Sequence, residues 1–255
     1  MGQEIGISAR NAYPISSNTE AQLSHLFRRL QNFSSRIIGD RLDAAVVGRR
    51  RFASDQPIWS ERGDLSSLFI LEQGFAYKFQ ILPNGQRHIA DFFGPGAICN
   101  WSRFSAFEEQ DDLLFKAQSS VTLLNVEFLS GLFEEQPGLA SIFKRHELAR
   151  AMRNTQRTRA LISLSATEKL LIVLLDIFDE CAVAGLEMEQ IFLPFSQQEV
   201  ADLLGITPVH VSRTFARLED HGTIERDNRT IRLVNPEQLR QTLAYRSFFQ
   251  SRNGR

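Results

Sequence analysis

Cysteine is scarce in this chain, with only Cys99 and Cys181 among 255 residues. They form no Cys-x-x-Cys pair and no Cys/His cluster, so neither a disulfide framework nor a structural zinc site is indicated. Long apolar runs are also missing. The longest, Leu170 to Leu175, stops at Asp176, far short of the ~20 residues a membrane-spanning helix needs. Residues Met1 to Ala12 lack the apolar centre of a secretory signal, so a cytoplasmic protein without membrane association is expected. Histidine is sparse as well, at five residues. No Ser/His/Asp or Cys/His constellation and no phosphate loop is recognisable, which argues against an enzyme. The 23% of charged residues and 43% of hydrophobic ones are ordinary globular proportions and exclude wholesale disorder.

Charge of one sign is absent overall, the net value being −1, but its distribution is uneven. Residues 207–255 hold nine Arg, no Lys and five acidic residues, a local excess of four positive charges. A basic end on a neutral chain fits a nucleic-acid module, and surface charge kept for solubility gives the same count.

Residues 1–18 are polar and read as a leader. Thr19-Glu20 opens a short helical pattern with Leu23, Leu26, Phe27 and Leu30 three and four apart. Across 43–128, short apolar runs alternate with Gly, Pro and Asp: Leu68 to Leu71, Phe75 to Leu82, His88 to Phe93 and Val121 to Val126. The Asn84-Gly85 pair between two runs signals a hairpin, because both residues tolerate positive φ. Strands at this spacing predict an antiparallel roll. Residues 137–164 switch to helical spacing, with Leu139, Ile142, Phe143, His146, Ala149 and Met152 on a seam that fades between Asn154 and Arg159. Either the roll or a second copy of the same helix would cover that seam.

Ser165-x-x-Glu168 is a capping box opening a buried helical stretch to Phe178, with Gly185 as a stop. Ser196-Gln197-Gln198-Glu199 is a second box, followed by the apolar Val200, Ala201, Leu203 and Leu204 and then Gly205. Thr207-Pro208 reads as the cap and first residue of the next helix, to about Asp220, with Val211, Phe215 and Leu218 inward. Two helices around a tight Gly turn make a helix-turn-helix. On the second helix, Val209, Ser212, Arg213 and Arg217 share an outward face. That face supplies what base reading needs: a guanidinium for guanine, a hydroxyl, and an apolar group for a thymine methyl. Thr223 to Arg226 and Thr230 to Val234 form a wing whose Arg226, Arg229 and Arg232 are placed for phosphates. A bare motif match also describes a packing hairpin with solvated arginines; the ordered succession of two caps, Gly turn, Arg-bearing face and wing favours double-stranded DNA as partner.

The stretch Gln198-Glu199-Val200-Ala201-Asp202-Leu203-Leu204-Gly205-Ile206-Thr207-Pro208-Val209-His210-Val211-Ser212-Arg213-Thr214, with Leu68 to Phe75 and Asp91 to Gly96, resembles the Crp/Fnr family of bacterial regulators over about residues 40–245. The resemblance implies an α+β chain: an N-terminal antiparallel, jelly-roll-like β-roll, a long dimerisation helix and a C-terminal winged helix-turn-helix. The corresponding divisions are a leader and short helix over 1–30, a sensor or effector roll over 31–136, the dimer helix over 137–164 and the DNA-binding domain over 165–255. It further implies a homodimer on a two-fold symmetric site, paired through the seam named above, with RNA polymerase as a further partner and activation as the mode. Gln197, Thr207, Val209, His210, Ser212, Arg213, Arg217 and Arg229 are the expected DNA-contacting residues.

The family's cyclic-AMP binders carry a Gly-Glu pair and then an Arg-Ser pair on the phosphate. Cys99-Asn100 and Asp111-Asp112 stand at the matching positions, and two carboxylates there repel a phosphate. Two cysteines cannot supply the four thiolates of a [4Fe–4S] cluster. His88 is a conceivable haem ligand, though a lone strand His is far more often structural, and Cys99 a conceivable redox thiol, though buried Cys is usually inert. No cofactor is therefore expected. A sensor acting through a protein partner with a degenerate DNA-binding head is the alternative; a cupin-like metal enzyme is disfavoured because His88 is the only His in the roll.

Overall fold

A computed structural model describes residues 23–34, 41–59, 66–104 and 111–249; the leader and the Thr19-Glu20 helix start lie outside them. Helix α1 (Ser24–Gln31) buries Leu26 and Leu30, as their spacing requires. Two antiparallel sheets follow. One is ordered β1 (Val46–Arg51), β7 (Ser120–Asn125), β3 (Ser67–Gln73); the other β2 (Gln56–Ile58), β6 (Asp112–Phe115), β4 (Ala76–Ile81), β5 (Arg87–Phe93). Strand β3 shows why these residues form a roll. Its alternate side chains take opposite faces. Phe69 and Leu71 join Phe93, Phe115 and Val121 in one cluster, while Leu68 and Ile70 join α1, Leu129 and Phe143 in another. The β4–β5 hairpin forms as expected: Leu82 N–H donates to the Gln86 carbonyl (2.8 Å), and Gly85 takes φ +81°.

Helix α2 (Val126–Glu135) is capped by Asn125, whose Oδ1 accepts from Phe128 N–H at 2.7 Å. Helix α3 runs unbroken from Pro137 to Ser163. Its inward face holds Phe143, His146 and Ala149 and then Arg150, Arg153, Gln156 and Arg157. The apolar seam fades near residue 154 because ion pairs replace apolar packing on the same face. Helix α4 (Ala166–Ala182) folds back on α3, setting Arg157 Nε 2.8 Å from Asp176 and pairing Arg153 with Glu180. Both capping-box bonds of Ser165 and Glu168 are present.

The head continues with β8 (Gln190–Phe192), α5 (Gln197–Leu204), α6 (Pro208–Asp220), the hairpin β9 (Ile224–Asp227) and β10 (Thr230–Leu233), and α7 (Pro236–Thr242). Strand β8 pairs with β10, so the wing is a three-stranded sheet. A single apolar cluster crosses from roll to head, uniting Tyr77, Phe79 and Phe92 with Leu174, Phe195, Val200, Val211 and Phe215. Among the described residues, no helix is long and apolar enough to cross a membrane.

Candidate nucleic-acid interface

The frame of the site follows from local chemistry. Ser196 Oγ accepts from Glu199 N–H (3.2 Å), and Glu199 Oε2 accepts from Ser196 N–H (2.7 Å), closing the box at the start of α5. Gly205 ends the helix in the left-handed region (φ +65°), which a side chain would disfavour. Thr207 Oγ1 accepts from His210 N–H at 3.2 Å and caps α6, with Pro208 first inside it. Ala201 and Val211 are fully buried at the helix crossing, and Phe215 and Leu218 anchor α6 to the core. The opposite face of α6 is open: Val209 is 60% exposed, and His210, Ser212, Arg213 and Arg217 are all exposed, as are Gln197 and Thr207. A rigid helix thus presents two guanidinium groups, a hydroxyl and an isopropyl group to solvent on neighbouring turns.

The wing arginines also make contacts within the wing. Arg229 is half-buried; its Nη2 donates to the Leu193 carbonyl (2.8 Å) and its guanidinium lies 4.7 Å from the Phe192 ring. Arg226 donates to the Asn228 carbonyl (2.9 Å) and stacks on Phe215, and Arg232 pairs with Glu225. Each therefore holds the wing together as well as charging it.

The head is fastened to the roll beside this face. The Glu199 carboxylate that caps α5 through one oxygen accepts through the other from Lys116 Nζ (2.7 Å) and the Tyr77 hydroxyl (3.0 Å). Arg87 Nε donates to Asp202 Oδ2 (2.7 Å), and its Nη1 to the Tyr77 hydroxyl (2.8 Å). Lys116 lowers the Glu199 pKa, while desolvation and Glu199 push the Tyr77 phenol up, so the carboxylate stays charged and the phenol neutral. Sequence reasoning missed this contact, since nothing local marks residues 77, 87 and 116 as partners of α5.

The expected effector residues are accounted for differently. Cys99 is buried, and desolvation holds its thiol well above the ordinary range, so little reactive thiolate forms. Burial likewise pushes the Cys181 thiol up to about 11. Asn100 bridges backbone, its Oδ1 accepting from Phe69 N–H (2.7 Å) and its Nδ2 donating to the Ser67 carbonyl (3.0 Å). Cys99, Asn100 and Asp111 line a cavity of about 20 Å³ together with Lys78 and Arg103. That is about the space of one water. Asp112 opens β6, opposite Phe79.

The helix seam is largely covered by the chain itself. Phe143, His146 and Ala149 are buried, and Leu139 and Ile142 pack against the cluster around Phe143. Only Met152 of the six expected interface residues stands open, at 47%. The face α3 leaves uncovered instead carries Leu148 (60% exposed), Met152 and Ile162 (79% exposed), in line with Ser141, Arg145, Thr155 and Arg159. These seven alternate by four and three residues, the heptad rhythm of a paired helix.

The family signature of the Crp-like helix-turn-helix domain matches residues 168–242. The nitrogen fixation regulation protein FixK of Bradyrhizobium diazoefficiens is 30% identical over 213 residues, covering 78% of this chain and 86% of that protein. The transcriptional activator protein FnrA of Stutzerimonas stutzeri is 24% identical, covering 77% and 80%. Among solved structures, FixK2 from Bradyrhizobium japonicum superposes with a TM-score of 0.66 at 21% identity over 76% of this chain and 95% of that one.

Proposed function

The chain belongs to the Crp/Fnr family of transcription regulators, and from that premise we propose that it reads a two-fold symmetric DNA site as a homodimer and activates transcription. The observation that carries the reading is the open face of α6, capped at Thr207, anchored by Val211, Phe215 and Leu218, and presenting Val209, Ser212, Arg213 and Arg217. Arg213 reads a guanine edge and Val209 faces a thymine methyl or leaves its base unread. Gln197, Thr207, His210, Arg217 and Arg229 fix the backbone register. The exposed Leu148–Met152–Ile162 stripe supports pairing of two α3 helices. Relatives named as activators support activation, with RNA polymerase as the partner that activation requires.

Neither cyclic AMP nor an iron–sulfur cluster enters this reading. Asp111 and Asp112 stand where the family's cyclic-AMP binders carry an Arg-Ser pair, and Asn100 is committed to backbone, although Lys78 and Arg103 line the same cavity. The test is anisotropy titration of a labelled two-half-site duplex at several salt concentrations. Affinity falls steeply with salt as phosphates are neutralised, and Arg213→Ala weakens it. Binding that is insensitive to both overturns the reading.

A further inference from the structure

Beyond residue 242, where the helix-turn-helix match ends, the chain does not trail away. Leu243 closes α7, Ala244 takes φ +48° and reverses the chain direction, and residues 245–249 run back across the junction onto α3. Three contacts pin them. The Tyr245 hydroxyl lies 2.9 Å from both Asp176 and Asp179 of α4. The Gln156 side chain of α3 grips the backbone of Arg246 from both sides, donating to its carbonyl (3.2 Å) and accepting from its N–H (3.0 Å). Phe249, 1% exposed, packs with Ala149 and Val183, its ring 5.5 Å from His146 and 6.4 Å from Phe33, with the Arg29 and Arg153 guanidinium groups 5.9 and 5.4 Å away.

The geometry has a mechanical meaning. Helices α3 and α4 meet through Leu164 and Ser165, two extended residues with ψ near 160°. Rotation there would swing the whole head. The strap starts on the head and ends on α3 at Gln156, Ala149 and His146, well before the junction. It therefore closes a loop over the joint and resists rotation there, alongside the Glu199–Lys116, Glu199–Tyr77 and Asp202–Arg87 bonds that fasten the head to the roll. The outward face of α6 is exposed with the strap seated.

We propose that residues Ala244–Phe249 form a strap that braces the DNA-binding head on α3 and fixes the spacing of the two recognition helices in the dimer. The proposal rests on the reading above for its DNA consequence, because two half-sites one helical turn apart penalise angular slack that a single half-site does not feel. Engaging the second half-site is an intramolecular step whose effective concentration depends on head geometry. Loosening the strap lowers that term and leaves the contacts of each head intact.

The experiment uses the full chain, Phe249→Ala, Tyr245→Phe and a chain ending at Leu243, each checked for native circular dichroism. Binding is measured to a two-half-site duplex and to a duplex bearing one half-site. Phe249→Ala and the shortened chain should lose about tenfold on the first and less than about twofold on the second, with Tyr245→Phe intermediate. Independently of DNA, spin labels at Glu134→Cys and Asn228→Cys, both exposed while the two native cysteines are buried, should give a narrow distance distribution that broadens in Phe249→Ala. An unchanged distribution overturns the brace outright, whether or not the dimer reading stands. Equal loss on both duplexes places the damage in the head itself, and tighter binding makes the strap inhibitory; either result overturns the proposal. A wild-type chain with no preference for two half-sites removes the dimer reading and leaves the distance measurement to decide the brace.

Discussion

Glu180→Gln is the substitution to which this fold should be most sensitive. Glu180 is fully buried. Its Oε2 accepts from Arg29 Nη2 (2.7 Å) and Gly94 N–H (2.6 Å), and its Oε1 accepts from Arg153 and, at 3.5 Å, from Arg150. One carboxylate thus ties together α1, the end of β5, α3 and its own helix. Around it, among the described residues, Arg29, Arg150, Arg153 and Arg157 face only Asp91, Asp176 and Glu180 as carboxylate partners. Removing this charge leaves four guanidinium groups against two carboxylates, and a glutamine of the same shape turns N–H donors toward donors. Breaking a buried pair from one side costs about 3–5 kcal/mol, against a total stability of roughly 5–15 kcal/mol for a native domain. Urea denaturation should show the extrapolated stability falling by that amount, and the midpoint by that amount divided by the slope, with the slope unchanged, since the buried surface is nearly the same. A loss below about 1 kcal/mol would mean that water or relaxed geometry already solvates the cluster, and the argument for a keystone would fail.

Acid should destabilise the protein in two stages. His146 is buried among Phe33, Phe249, Arg29 and Arg150, and desolvation lowers its pKa below 6.5. The unfolded chain therefore takes up this proton first, and stability begins to fall as pH drops through about 6.5. The Asp91 and Glu180 carboxylates are held below their ordinary range by the surrounding arginines, so their contribution persists until pH drops below about 4. Asp176, raised by desolvation, works in the opposite sense and at higher pH, above the ordinary carboxylate value, where the folded chain takes up its proton before the unfolded one does. His146→Gln should remove the first stage only, visible as a stability–pH curve that stays flat down to the carboxylate range. Leu148→Asp, placing charge on the exposed α3 stripe, should give a ~29 kDa species in sedimentation at micromolar concentration; an undiminished dimer would put the interface elsewhere. Cyclic AMP should give no calorimetric signal at micromolar concentration, and micromolar affinity would contradict the reading of Asp111.

The head was the most legible part of the chain because its signals are local. Ser196, Glu199, Gly205, Thr207 and Pro208 each act within four residues, and each forms the cap or turn expected of it. The roll was legible at β3, β4 and β5, where apolar runs end at glycine or proline, and at the apolar run of β7. It was silent at β2 and β6, as the head was at β8, strands three or four residues long that carry too little pattern to separate from loop, and at β1, whose Gly48 and three arginines hide its alternation. What covers each face of α3 was not legible for a different reason. Periodicity shows that a helix has an apolar stripe but not whether its own chain or a partner covers it, and here the apolar half of the inward stripe is completed by arginines. The ion cluster, the Glu199 bridge to Lys116 and Tyr77, and the strap from Tyr245 to Phe249 join residues from tens to more than a hundred positions apart, so no sequence window contains them.

The most direct test is selection of bound duplexes from a library with two randomised half-sites. The expected result is a two-fold symmetric motif with half-sites about one helical turn apart, a guanine in each lost on Arg213→Ala at a cost of about 1–3 kcal/mol, and a base opposite Val209 that shifts to cytosine on Val209→Glu. An enriched motif without symmetry, or one unchanged by both substitutions, would contradict the assignment of α6 as the reading helix.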